Sequence, residues 1–145
     1  LDTERGYHMM LPEPGVTLKH PISSGDHHFA ITPMAGGIRL AGTDEFAGLQ
    51  APPNYGRADA LFTSAKKMFP ALQKQGASRW MGRRPSIPDS LPVISRSPRF
   101  RSVYFAFGHG HLGLTGAAVT GKLIAEMVSE KPSSIDLAPY RVDRF

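Results

Sequence analysis

The stretch Val103-Tyr-Phe-Ala-Phe-Gly-His-Gly-His-Leu-Gly-Leu-Thr115 reads as a buried strand that breaks into a glycine-rich turn and opens a helix. Such a turn offers backbone N–H groups to an electron-rich ligand, because the first amides of a helix have no partner within it. Gly108, Gly110 and Gly113 form a literal G-x-G-x-x-G, the spacing of a dinucleotide fingerprint. A dinucleotide fold also needs a second parallel strand after the helix and an acidic residue about 20 positions beyond the glycines. Past the helix only Lys131 to Phe145 is left, interrupted by Pro132, Ser133-Ser134 and Pro139. The turn therefore reads as ligand-facing, with a ligand other than an ADP moiety.

The helix that follows spans Thr115 to Glu130. Ala117, Gly121 and Ala125 recur at i, i+4 and i+8, while Leu123, Ile124, Met127 and Val128 cover another side. One face is nearly bare of side chains, which lets the helix backbone approach a sheet or a flat ligand, or simply pack tightly. Upstream, Ala77 to Arg84 reads as a strand. Its alternation sets Trp80, Gly82 and Arg84 on one face and Met81 and Arg83 on the other. An arginine beside a glycine and an indole, stiffened by Pro85 and Pro88, is suited to grip a carboxylate through two parallel N–H···O bonds.

Between residues 7 and 48, apolar stretches separated by turn residues predict an antiparallel meander with strands at Tyr7–Leu11, Val16–Ile22, His28–Met34 and Ile38–Gly42. Pro12 to Gly15, Ser23 to Asp26 and Ala35 to Gly37 supply three hairpin reversals. From Tyr55 to Phe69 the period becomes helical, with Ala58, Leu61, Phe62, Ala65, Met68 and Phe69 on one stripe and Pro70 as its stop. Ser86 to Pro92 reads as a rigid connection.

A length of 145 residues suits one packed core, and 41% hydrophobic with 20% charged residues is ordinary for a globular chain. No run of about 18 apolar residues exists to cross a bilayer. The absence of cysteine removes disulfides, thiolate nucleophiles and thiolate zinc sites. No signal-peptide pattern is present, which favours a cytosolic setting. The start at Leu1 lacks an initiator methionine and suggests processing or a piece of a longer chain. The net charge of +5 is scattered over the sequence with no recognition motif, so nucleic acid is not an expected partner. The six histidines form no quartet with metal-ligand spacing, and no metal site is expected. No G-x-S-x-G elbow marks a serine hydrolase. His109 is expected to hold its loop through backbone hydrogen bonds.

These pieces together resemble the superfamily of FAD-dependent D-amino-acid dehydrogenases and oxidases, which includes glycine and sarcosine oxidases. Leu1-Asp-Thr-Glu-Arg-Gly-Tyr-His8, Arg39-Leu-Ala-Gly-Thr-Asp-Glu-Phe-Ala-Gly48, Trp80-Met-Gly-Arg-Arg-Pro85, Pro88-Asp-Ser-Leu-Pro-Val-Ile94 and Phe107-Gly-His-Gly-His-Leu-Gly-Leu-Thr115 look like segments of the C-terminal third of the dehydrogenase branch. The resemblance implies an α+β fold: the mixed, largely antiparallel sheet of a substrate-binding cap with flanking helices in residues 1–100, and in 101–145 a strand-loop-helix that completes an FAD-binding domain. The N-terminal Rossmann part of such an enzyme is absent from the sequence.

It implies FAD as cofactor, contacted at its O2 and N3 edge by Gly110, His111, Leu112, Gly113, Leu114 and Thr115, and not retained by this chain alone. Arg84 would hold the substrate carboxylate, with Tyr7 and His8 lining the pocket and no certain catalytic residue. The implied reaction is hydride transfer from the α-carbon of a D-amino acid to flavin N5. Implied partners are the amino-acid substrate and the N-terminal FAD-binding portion of the same protein. A quinone, a carrier protein or oxygen would take the electrons, in a cytoplasmic protein with peripheral contact at the inner face of the membrane. A glycine, sarcosine, proline or hydroxyproline oxidase or dehydrogenase, or a stand-alone binding or assembly module, is the alternative. Arg83 and Ser95 depart from the family pattern, where an apolar residue and a glycine are usual; the second bears on a turn.

Overall fold

A computed structural model describes all 145 residues. In chain order it contains β1 (Asp2–Leu11), β2 (Ile22–Ser24), β3 (Phe29–Met34), β4 (Gly37–Glu45), α1 (Gly56–Met68), β5 (Ser78–Ser86), β6 (Val93–Arg96), β7 (Tyr104–Phe107) and α2 (Gly113–Val128). Short 3-10 turns at Gly110–Leu112 and Ala138–Tyr140 complete the list. The residues divide into two compact units, Glu4–Arg83 and Arg84–Phe145 together with Leu1–Thr3. The boundary drawn from sequence at residue 100 falls instead inside the second unit, because β6 pairs with β7 and packs on α2.

The Glu4–Arg83 unit is built on a five-stranded sheet of order β2-β3-β4-β1-β5, with β2–β3, β3–β4 and β4–β1 antiparallel. Its alternation buries Tyr7, Met9, Leu11, Phe29, Ile31, Ile38 and Leu40 on one face, where Ala58, Leu61 and Ala65 of α1 close the core. Two of the three expected hairpins form. The reversal after β1 does not: residues 16–20, bracketed by Pro14 and Pro21, tuck Val16 and Leu18 against the core instead of forming a strand, and only Ile22 of the expected strand enters β2. β1 pairs with β4, and Gly42, at φ 134°, is the extra residue that shifts their register between Tyr7 and His8.

In the second unit β6 and β7 form a two-stranded antiparallel sheet. Val93 and Ile94 are buried there, as is Leu123 of α2, the single buried residue of that helix. No element is expected from sequence at Val93–Arg96, whose four residues are too few to show an alternation. The tail is fastened locally. Arg144 donates to both carboxylate oxygens of Asp89 at 2.7 and 3.0 Å and to the Leu91 carbonyl at 2.7 Å. Ser95 is buried within β6, where its hydroxyl accepts the Val142 N–H at 3.1 Å, so this departure from the family pattern sits in a strand and not in a turn.

Candidate functional site

The glycine-rich loop owes its path to two residues without a Cβ. Gly108 has φ 79°, and a Cβ there would lie 2.3 Å from the Ile87 Cδ1. Gly110, at φ 50°, then starts the 3-10 turn that leads into α2. His109 holds this corner through its backbone, as expected, its carbonyl accepting the Leu112 N–H at 2.9 Å, and its ring Nε2 also lies 2.9 Å from the Thr120 Oγ1.

The entrance to α2 is open. No side chain caps it, no acidic residue sits in its first turn, and Leu112 and Leu114 are exposed at 65% and 94%. Ser86 Oγ is buried without a hydrogen-bond partner, 3.9 Å from the position a Cβ would take on Gly110. An uncapped helix start, backbone free of side-chain bulk and an orphaned hydroxyl together form a surface fitted to a polar ring edge with acceptor oxygens.

In the Glu4–Arg83 unit the face of the sheet away from α1 carries the other candidate residues. His8 is half-buried and stacks on Trp80, ring centroids 4.8 Å apart and planes 21° from parallel. The indole lies across Gly82, where a Cβ would fall 2.0 Å from Trp80 Cη2; only glycine allows the plate to lie flat. Burial and then the Arg39 charge hold the His8 imidazole below its ordinary pKa of 6.5. Met81 packs into the core from the opposite side of β5, as the alternation requires. Arg84, the first residue of the other unit, is half-buried and engaged with neighbouring groups. Arg83 donates to the Leu49 carbonyl at 3.3 Å.

Tyr7 and His8, expected to line one pocket, part company. Successive strand residues face opposite sides, and Tyr7 is 2% exposed under α1. Its hydroxyl donates to Glu45 and accepts the Asn54 N–H at 3.0 Å. The fully buried Arg5 donates to the carbonyls of Gly48 at 2.9 Å, Ala51 at 2.6 Å and Pro52 at 3.2 Å, and pairs with Glu45 at 3.5 Å. The Tyr7 hydrogen bond, then Arg57 and Arg5, hold the Glu45 carboxyl below its usual range against the opposing effect of desolvation. This network was missed from sequence because its members lie about forty residues apart, with no local signature. No three His, Asp or Glu side chains gather into a metal-binding cluster.

Comparison with known proteins gives these sites a family context. The profile of the DAO family, FAD dependent oxidoreductase, matches residues 1–127. A D-amino-acid oxidase of Bradyrhizobium diazoefficiens is 44% identical, with all of this chain aligned to 35% of its own length. A D-amino acid dehydrogenase of Granulibacter bethesdensis is 34% identical over 97% of the chain and 34% of its own length. The chain thus spans about a third of the length of the curated relatives it matches. Among solved structures, glycine oxidase from Geobacillus kaustophilus shares the fold with a TM-score of 0.80 at 24% identity, over 99% of this chain and 39% of that one.

Proposed function

The chain belongs to the DAO family of FAD-dependent oxidoreductases, and we propose that it forms the C-terminal portion of an enzyme that oxidatively deaminates D-amino acids. The 44% identity to a D-amino-acid oxidase favours this substrate class over glycine, sarcosine, proline or hydroxyproline. The observation that carries the cofactor half of the reading is the open entrance of α2 beside the orphaned Ser86 hydroxyl. Bound FAD would supply the hydride acceptor at N5 and a pyrimidine edge where negative charge develops.

The amides of Gly110 to Thr115, at the positive end of α2, stabilise that edge. Arg84 grips the substrate carboxylate and fixes the α-carbon hydrogen in line for transfer. His8, kept neutral, and the Trp80 plate it stacks on are assigned to substrate binding as uncharged groups. Tyr7 acts from beneath, through Glu45 and the loop after β4. The substrate loses a hydride from carbon and a proton from nitrogen, leaving an imino acid that water hydrolyses to a 2-oxo acid and ammonia.

The full-length polypeptide is expected to purify with flavin absorbance and to release ammonia from D-amino acids, while the 145-residue chain alone purifies colourless. Arg84→Ala in the full-length enzyme should weaken carboxylate-bearing substrates by about 2–5 kcal/mol in kcat/KM. Stoichiometric flavin in the isolated chain, or unaltered kinetics in the variant, would remove the corresponding half of the assignment.

A further inference from the structure

The face of the five-stranded sheet away from α1 carries a row of small residues set by the register. Ala30 on β3 pairs with Ala41 on β4, and Ala41 pairs with His8 on β1, so two methyl groups form a low floor that ends at the His8–Trp80 stack. The next row on that face is Thr32, Arg39 and Met10, each paired with the next across the strands. Arg39 is half-buried, and its Nε is shut off from solvent without a hydrogen-bond partner. Its direct neighbours across the ladder, Thr32 and Met10, carry no charge, and its own charge opposes protonation of His8 in the adjoining row. A guanidinium one row from two alanines, with its Nε–H left unsatisfied, lacks an acceptor there.

We propose that Arg39 is a specificity-determining residue that takes a carboxylate at the far end of the substrate side chain, so that the enzyme prefers dicarboxylic amino acids. The methylene stem of such a side chain lies over Ala30 and Ala41 beside the His8–Trp80 wall, and the Thr32 hydroxyl lies in the same row as the guanidinium. The inference rests on the reading of this chain as part of an amino-acid oxidoreductase.

The test uses the full-length enzyme and two isosteres, D-glutamate and D-glutamine. The kcat/KM ratio should favour D-glutamate and fall by roughly tenfold to a hundredfold in Arg39→Met, as expected for losing a charged hydrogen bond, with part of it restored in Arg39→Lys. In parallel, calorimetry compares glutarate with its monoamide on the same proteins. If no amino acid is oxidised while glutarate keeps an Arg39-dependent advantage, the oxidoreductase reading fails and the Arg39 site stands. If amino acids are oxidised with a ratio that Arg39→Met leaves unchanged, the Arg39 site is overturned and the enzyme reading survives. A loss of thermal stability in Arg39→Met with no change in either preference overturns it as well, since the acceptor is then a carboxylate of the polypeptide itself.

Discussion

Buried charge in the Glu4–Arg83 unit is spent on shape. Arg5 has no exposed surface, and its donors hold three carbonyls of the loop after β4, so that loop keeps one conformation while Phe46 and Leu49 remain exposed at its surface. Glu45 completes the arrangement, and its lowered pKa makes the arrangement pH-dependent. Because the folded value lies below the ordinary 4.5, the unfolded chain takes up a proton first as pH falls. The stabilisation is fully present above that ordinary value and is lost as pH drops through the folded one. Urea titrations between pH 6 and about pH 3 should therefore show an acid limb that flattens in Glu45→Gln. Of these residues the sequence disclosed none: Arg5 and Glu45 stand in motifs that resemble the family's, but nothing in a local window states that a strand arginine will turn inward.

Elements whose signals are periodic or glycine-marked were legible. α1 follows its apolar stripe, β5 turns Met81 inward and the Trp80–Gly82 pair outward, and β7 leads through the glycines into α2. Elements that depend on a remote partner were not, and β6 and the β1–β4 pairing belong to that group. The two kinds of glycine in the last segment separate turn from approach. Gly108→Ala combines a left-handed backbone penalty of about 1–2 kcal/mol with overpacking against Ile87 of about 1–3 kcal/mol, and should lower the unfolding midpoint accordingly. Gly121 has nothing within 4 Å of its Cβ position, so Gly121→Ala should stabilise the isolated chain by about 1 kcal/mol through helix propensity. The same change in the full-length protein should lower flavin content if that face abuts the remaining polypeptide.

At the scale of the whole molecule, α2 carries a stripe of Leu114, Ala117, Ala118, Gly121, Ala125 and Val128, all exposed. The chain accounts for 35% of a matched relative's length, and on the proposed function the rest of the enzyme covers this stripe. The isolated chain should self-associate in sedimentation experiments, and Ala118→Glu should return it to a monomer while depriving the full-length enzyme of flavin. No helix is long and apolar enough to cross a membrane. The polypeptide passes between the two units at 3/4 and again at 83/84, on β1 and β5, which are adjacent in the sheet. Residues 4 to 83 are consequently a cassette with neighbouring entry and exit points, able to be exchanged wholesale between homologous enzymes. On the proposed function, a swap of that insert alone is the change that would alter amino-acid choice while leaving the residues assigned to the flavin in place.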